Sequence, residues 1–408
     1  KDTFTPVIVE KLKEYGVEVT YHSLSLDDHE MTTSKINEAL KQGIHVVMIN
    51  RGHRKELIPD GVELIKSDKN DFNRICSLLG ERKFDAVIDF LCYNDKETTE
   101  SFNFYSHYTK QYFFISSCAV YNTELATVCN ENSPKVRSMW GYSVNKWASE
   151  ELLMKLAANS NCNYTVIRPC VTYDDTRIPY GISPQYGYHW TLVARILSGK
   201  PIIRWNGGIN RCNMMRVEDF AVGVIGLIGK DEAYNEAFNV CGDETPSFNE
   251  VLDVLSELTG KKVKTIDITS DFYAKELPSR AGEILGGRSI DRFNSNDKIK
   301  AVVPLFRHTI SLRKGIEMTY NAYRDNHYQF GIDWEFEGDT DRIILKWCKK
   351  NRINTDGLNL HFIDYLGDAD SSDKRKYIFA LHRGRWDVWV MMFGFRVVKK
   401  VKRILLGK

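Results

Sequence analysis

The sequence of 408 residues lacks several features that define whole classes of proteins. No run of apolar residues reaches the roughly 18 that a membrane-spanning helix needs, and the first residues do not resemble a secretory signal. The nine cysteines are odd in number, and no two of them form C-x-x-C. These absences predict a reduced, cytoplasmic compartment.

The net charge of +2 conceals an uneven distribution of charged residues. Residues 374–408 contain eleven Lys or Arg and a single acid, Asp387. The other 373 residues hold 45 basic and 53 acidic side chains, a net charge of −8. An acidic body argues against a nucleic-acid groove, since phosphate backbones bind to positive surfaces.

Short apolar runs alternate with amphipathic stretches through the first half of the chain. The predicted strands are Ile44–Ile49, Ala86–Phe90, Tyr112–Ser116 and Tyr164–Ile167, and the predicted helices are Ser34–Gln42, Phe72–Glu81, Thr98–Tyr108 and Ser143–Asn159. This alternation is typical of an α/β fold with a parallel sheet, whose strands are apolar on both sides because helices cover both faces.

The pattern changes after Arg168 and Pro169, where loops lengthen. We expect a Rossmann-like domain over residues 1–170 and a smaller substrate-binding part over residues 171–330, interleaved with the core. Residues 331–408 are expected to form a C-terminal extension. Open α/β sheets bind ligands at the carboxyl ends of their strands, so the smaller part should close over that edge.

Tyr142 and Lys146 form Y-x-x-x-K at the start of a predicted helix. The spacing of four places both side chains on one face. A phenol titrates near pH 10, and a nearby ammonium is expected to lower that pKa so that the tyrosine can exchange a proton with a substrate hydroxyl. Upstream, Ser117 ends a predicted strand and could orient the reacting oxygen.

Several segments resemble the extended short-chain dehydrogenase/reductases, the NAD-dependent epimerase/dehydratase group. They include ISSCAVY, WGYSVNKWASEELL and VIRPCVTY, and the resemblance runs roughly from residue 30 to residue 325. It implies a Rossmann-type doubly wound parallel sheet with a smaller C-terminal substrate domain.

By the same resemblance, Ser117, Tyr142 and Lys146 are catalytic, and Lys146 also binds the nicotinamide ribose. Asp68 matches the acid that meets adenine. The implied substrate is a nucleotide-linked sugar and the implied assembly a homodimer. A member of this fold is associated with RNA binding in plastids, but the acidic body makes that reading unfavourable here.

The end of the Ser117 strand also narrows the reaction. Sugar 4,6-dehydratases resemble T-D-E-V-Y there, with a carboxylate pair for elimination, whereas this chain reads Ser117-Cys118-Ala119-Val120-Tyr121. Dehydratase chemistry is therefore disfavoured. An epimerase or a reductase would need only serine, tyrosine, lysine and the cofactor.

The cofactor is predicted to be NAD or NADP, with a preference for NADP. Asn50 and Arg51 follow the strand where an NAD-preferring site would place an acid on the ribose 2′-hydroxyl. Arg211 and Arg216 are candidates for binding substrate phosphate, although both could equally be surface or structural residues.

One element of the family pattern is missing. The phosphate loop G-x-x-G-x-x-G should fall near Leu26–Thr32, but that segment has no glycine and contains Asp27, Asp28 and Glu30. Carboxylates there would repel a pyrophosphate. The first βα unit could be truncated, with its strand around or before Lys1. Alternatively, the loop could have been replaced, or the chain could be a non-catalytic relative. No metal site is predicted, because adjacent acids rarely face one ion.

The C-terminal tail combines apolar and basic residues over 386–408. Its unbroken apolar part, Val388–Phe395, is too short to span a bilayer. The tail is predicted either to lie on an anionic membrane surface at the inner face or to dock on the body of the protein or on a partner.

Overall fold

The computed structural model describes residues 19–22, 45–52, 61–135, 139–325, 331–360 and 365–386. The strands in this part of the chain are β1 Val19–His22, β2 Val46–Asn50, β3 Glu63–Lys66, β4 Ala86–Asp89, β5 Gln111–Ile115, β6 Val128–Cys129, β7 Asn163–Pro169, β8 Val171–Tyr173, β9 Ile202–Trp205, β10 Met214–Arg216, β11 Glu236–Val240, β12 Thr265–Ile268 and β13 Phe293–Asn294.

The α-helices of the same part are α1 Phe72–Leu79, α2 Asp95–Tyr105, α3 Gly141–Ala157, α4 Trp190–Leu197, α5 Val217–Gly226, α6 Phe248–Thr259, α7 Ser270–Glu276, α8 Ala281–Glu283, α9 Asp297–Val302, α10 Leu312–Asp325, α11 Trp334–Asn351 and α12 Ser371–Leu381. A π-helical turn, Ile284–Arg288, follows α8 directly.

Seven parallel strands form the main sheet in the order β11-β7-β5-β4-β1-β2-β3. The chain winds outwards in both directions from β1, which confirms the predicted doubly wound α/β fold. The four predicted strands and the three predicted helices that fall in the described part match observed elements to within a few residues. The predicted helix Ser34–Gln42 lies outside the described residues.

The position of β1 bears on the missing phosphate loop. β1 lies between β2 and β4, the place of the first strand in this fold, and pairs with both in parallel register. The first strand of this sheet is therefore Val19–His22, and not a strand around or before Lys1. No glycine occurs between His22, where β1 ends, and Gly43, so the sequence after this strand does lack the expected glycines.

Alternating side chains along the central strands build two cores, one on each face of the sheet. Val46 and Met48 of β2 face the core that α5 and α9 cover. Val47 and Ile49 face the core that α1, α2 and α3 cover. Period-two alternation of buried residues is expected of a sheet enclosed on both sides.

A third core lies in the second half of the chain, where the two-stranded sheets β10-β8 and β12-β9 pack with α4, α6 and α10. Ile343, Ile344 and Cys348 of α11 belong to the same core. Although the sequence suggested a separate extension beyond residue 331, α11 is an integral part of this third core. We call the elements that enclose this core the second lobe.

Four fully buried charges fix α11 to this lobe. The guanidinium group of Arg195 lies 2.8 Å from the Glu337 carboxylate and 2.9 Å from that of Asp341, and Lys200 pairs with both acids. Tyr377 of α12 donates a hydrogen bond to Asp341 at 2.9 Å. Buried charges are tolerated only when they are paired in this way.

No helix of the described residues is long and apolar enough to cross a membrane. Residues 387–408, which carry most of the tail to which membrane contact was assigned, lie outside the described part of the chain.

We expect Glu337→Gln to lower the free energy of unfolding by about 3–5 kcal/mol, because Arg195 and Lys200 would keep buried charges with too few partners. Chemical denaturation measures this change. The matched control is Glu335→Gln, two residues away, whose ion pair with Arg383 is half exposed and should contribute no more than about 1 kcal/mol. Equal effects of the two substitutions would contradict the structural role of the buried cluster.

Candidate active site

A cavity of about 350 Å³ lies at the carboxyl edge of the main sheet, between the sheet and the second lobe. Ser117, Tyr142 and Lys146 all line it, so the structure brings together the three residues predicted from the sequence. No Asp or Glu is among the lining residues in the described part of the chain.

Ser117 follows β5, where the strand gives way to a short 3₁₀ turn, Cys118–Val120. Its backbone is extended, and its hydroxyl caps the turn by accepting a hydrogen bond from the Ala119 N–H at 3.1 Å. The hydroxyl is also close enough to the Tyr142 phenol to lower the pKa of that group. Ser117 and Tyr142 therefore face the same cavity as neighbours.

Tyr142 lies in the first turn of α3, half buried, with its ring 5.0 Å from that of Trp140. Burial raises its pKa to about 12, and the Ser117 hydrogen bond and the charges of Arg288 and Arg177 oppose that shift. The expected lowering of the Tyr142 pKa is therefore wrong. The phenol is protonated at neutral pH.

Lys146 lies one turn further along α3 and is only 2 % exposed. Its Nζ donates to the carbonyl oxygens of Cys92 at 2.6 Å and Ile115 at 2.7 Å. Burial lowers the pKa of Lys146 to about 8, although nearby acidic groups favour its charged form. An ammonium has three N–H groups, and no third acceptor is found among the described residues.

The Cys92 carbonyl owes its position to Asp89, the buried last residue of β4. One carboxylate oxygen of Asp89 accepts from the Leu91 N–H at 2.8 Å, and the other accepts from Tyr112 at 2.8 Å and from Ser101. Asp89 thus fixes the turn that presents the Cys92 oxygen to Lys146, and its charge raises the pKa of that lysine.

A buried ion pair stabilises the end of β5, the strand that precedes Ser117. Glu150 of α3 pairs with Arg168 of β7, and both side chains are almost fully buried. Glu150 also accepts a hydrogen bond from Ser116, the residue before Ser117. The pair therefore ties the end of β5 to the helix that carries Tyr142 and Lys146.

The two arginines proposed for substrate phosphate have different fates. Arg211 lines the cavity and is about half exposed, with Glu250 at 3.9 Å. Arg216 does not line it: the side chain is fully buried and pairs with Asp175 and Glu218. The assignment of Arg216 to substrate is therefore wrong, because its charge is already neutralised inside the protein.

Sequence reasoning missed three further arginines of the cavity wall: Arg177, Arg288 and Arg292. Nε and Nη1 of Arg292 are buried and have no hydrogen-bond partner among the described residues, while Nη2 donates to the Gly286 carbonyl at 2.6 Å. No motif marked these residues. Only the tertiary structure shows that they line one cavity.

The residues predicted to meet the dinucleotide lie at the carboxyl edge, as expected of the ends of parallel strands. Asn50 ends β2, but its side chain is buried and accepts from the Gly52 N–H at 2.7 Å. Arg51 is exposed beside it, and Asp68 is exposed two residues after β3. Of the pair predicted to meet the ribose, Arg51 is thus the accessible side chain.

Comparison with known proteins identifies the family. Residues 34–241, half of the chain, match the model of the NAD dependent epimerase/dehydratase family. The chain therefore belongs to this family, which confirms the resemblance seen in its sequence.

Two curated proteins are similar to part of this chain at low sequence identity. The chloroplast stem-loop binding protein of 41 kDa b from Arabidopsis thaliana is 27% identical over 262 residues, which cover 63% of each chain. The 2′-dehydrokanamycin reductase from Streptomyces kanamyceticus is 19% identical over 233 residues, which cover 57% of this chain and 65% of the reductase. The match thus spans less than two thirds of either relative.

Among solved structures, UDP-glucose 4-epimerase from Thermotoga maritima, crystallised with UDP-glucose, superposes with a TM-score of 0.60. The match covers 76% of this chain and 99% of that enzyme at 14% identity. At this identity the likeness establishes the shared fold.

The contact between Gly287 and Trp140 gives a prediction about how Tyr142 is held. A Cβ at position 287 would lie 2.9 Å from Cζ3 of Trp140, the ring that packs on Tyr142. We expect Gly287→Ala to displace Trp140 and to lower the free energy of unfolding by about 1–3 kcal/mol. Thermal or chemical denaturation measures the change. Gly367→Ala is the control, since open space surrounds that position, and equal stabilities of the two variants would refute the contact.

Proposed function

We propose that this chain is an NAD(P)-dependent oxidoreductase or epimerase that acts on a nucleotide-linked sugar by Tyr-Lys-assisted hydride transfer. The observation that carries the proposal is the convergence of Ser117, Tyr142 and Lys146 in one cavity whose wall also holds four arginines. Acid–base groups and anion-binding groups that share one cavity suit a substrate with a reactive hydroxyl and a charged carrier.

The protonation states favour a defined division of roles. With a pKa of about 12, Tyr142 is protonated at neutral pH and can donate its proton to a carbonyl oxygen as that carbon is reduced. In the opposite direction it accepts the proton of the sugar hydroxyl. Ser117, which lines the same cavity as the phenol, orients the reacting oxygen.

The residues near Lys146 fit a nicotinamide dinucleotide. When bound, such a cofactor accepts and returns the hydride. Lys146 has a spare N–H for a ribose hydroxyl, and its charge near Tyr142 would favour the phenolate once the site is filled. Exposed Arg51 at the end of β2 suits a 2′-phosphate, so we favour NADP over NAD.

The charge of the wall supports a diphosphate-bearing substrate. Nε and Nη1 of Arg292 have no hydrogen-bond partner in the described part of the chain, and its main-chain N–H donates to the Arg211 carbonyl at 2.9 Å. The two residues are therefore adjacent and can address one anion together. Guanidinium groups bind phosphate through paired hydrogen bonds, which also neutralise their buried charge.

A second candidate is a non-catalytic binding or regulatory relative that has lost the dinucleotide. The sequence after β1 favours it, since acids stand where glycines would cradle the pyrophosphate. The intact set of Ser117, Tyr142 and Lys146 favours the enzyme, because a binding module has no need of a protonated phenol beside a buried lysine.

Calorimetric titration with NADP and with NAD distinguishes the enzyme from the non-catalytic binding module. We expect micromolar binding, tighter for NADP, and turnover of a nucleotide-linked sugar. Tyr142→Phe is the matched variant: it should retain dinucleotide binding but lose turnover by about 10²-fold or more, since only the exchangeable proton is removed. Absence of binding to either dinucleotide would support the binding module, and full activity of Tyr142→Phe would refute the mechanism.

The buried lysine predicts a pH dependence. If the charged form of Lys146 is the active one, kcat/KM should fall as pH rises through about 8, where the ammonium loses its proton. Asp89→Asn removes a negative charge that stabilises the ammonium, so this limb should move to lower pH. Asp85→Asn, an exposed residue just before β4, is the control and should leave the profile unchanged. If the fall of kcat/KM in Asp89→Asn occurred at the same pH as in the unmodified protein, the proposed effect of Asp89 on the Lys146 ammonium would be wrong.

A further inference from the structure

Two of the four arginines that line the cavity act on Tyr142. Arg177 and Arg288 line the same cavity as this phenol. Both guanidinium groups are near enough to it for their charge to oppose the burial effect on its pKa. Any sugar whose hydroxyl reaches Tyr142 must therefore lie beside these two arginines.

One carboxylate serves this group of arginines. Glu283 lies 2.9 Å from Arg280 and 3.4 Å from Arg288, and its charge extends more weakly to Arg177. The single negative charge of Glu283 is thus shared between at least two arginines and cannot neutralise both. The pocket wall therefore has a net positive charge before any ligand binds.

Arg177 is the member of this group with the least compensation. Its Nη1 donates to the Thr172 carbonyl at 2.7 Å, and its guanidinium lies 5.1 Å from the centre of the Tyr186 ring. No Asp or Glu of the described residues lies within ion-pair distance of it. Since a guanidinium has five N–H donors, Arg177 retains both charge and donors for a ligand.

The diphosphate of the proposed substrate has other partners. Arg211 and Arg292 are adjacent and can hold it together, as argued above. Arg177 is attached instead to the Thr172 and Tyr186 part of the wall. With a neutral sugar beside Tyr142, the half-buried guanidinium of Arg177 would have no anionic partner, which costs free energy.

We propose that the sugar itself carries a carboxylate, which Arg177 binds, so that the substrate class is a nucleotide-linked uronic acid. A carboxylate matches the single uncompensated charge of Arg177 and the planar geometry of its donors. A sugar phosphate would bring close to two negative charges to the same place. This inference rests on the proposed function and names the substrate class of the same site.

The test compares ligands that differ only at the acidic group. UDP-glucuronic acid and UDP-glucose, and as a second nucleotide pair GDP-mannuronic acid and GDP-mannose, are titrated by calorimetry into the full chain with NADP or NAD present. We expect the acid of at least one pair to bind about tenfold or more tightly than its neutral partner, as a charge-assisted hydrogen bond implies.

Arg177→Gln should abolish that preference by weakening the acid more than the neutral sugar, while Arg177→Lys, which keeps the charge, should retain part of it. Arg211→Gln is the matched control and should weaken the acidic and neutral ligands equally. Thermal unfolding of each variant confirms that it folds.

Four results would overturn the inference. Equal binding of acid and neutral sugar in both pairs by the unmodified protein, or equal weakening of acid and neutral sugar by Arg177→Gln, would refute it and leave the proposed function standing. A shift in the pH profile of turnover in Arg177→Gln without any preference for acids would give Arg177 a role on Tyr142 instead. Binding of a dinucleotide without binding of any of the four sugars would refute the proposed substrate, and the inference with it.

Discussion

The attachment of Lys146 to two main-chain carbonyls is the interaction on which the arrangement of this site depends. Those carbonyls belong to Cys92 and Ile115, which follow or end the neighbouring strands β4 and β5. Parallel strands place their carboxyl ends at one edge, so an ammonium can bridge two of them. The fixed lysine sets the rotation of α3, and α3 in turn carries Tyr142. Asp89 and the Glu150–Arg168 pair hold the same elements from inside the protein.

Desolvation governs the electrostatics of the cavity. Burial raises the pKa of Tyr142 and lowers that of Lys146, so each group favours its neutral form more than it would in water. Arginines, whose charge persists under the same burial, therefore supply most of the positive charge of the wall. This difference explains why the wall can attract anions while the phenol keeps its proton.

The first βα unit shows how a fold persists when part of its usual site does not. β1 occupies the centre of the sheet through parallel backbone pairing with β2 and β4, and that pairing does not require the glycines of a phosphate loop. Glycine matters for the close approach of a pyrophosphate to the backbone. The placement of β1 in the sheet and the binding of a dinucleotide after it are thus separable properties of one segment. Membership of the family implies the first property without implying the second.

The sequence alone determined the α/β class, the parallel sheet and the positions of the four predicted strands, because apolar periodicity is a local property. It also predicted the set Ser117, Tyr142 and Lys146, from the Y-x-x-x-K spacing and the resemblance to the family. Tertiary structure decided what depends on distant neighbours. It removed Arg216 from the site by burying it against Asp175 and Glu218, and it made α11 part of the second core. It also brought Arg177 and Arg292, more than a hundred positions apart in the chain, into one wall. Burial and charge compensation are set by such contacts, and no local pattern encodes them.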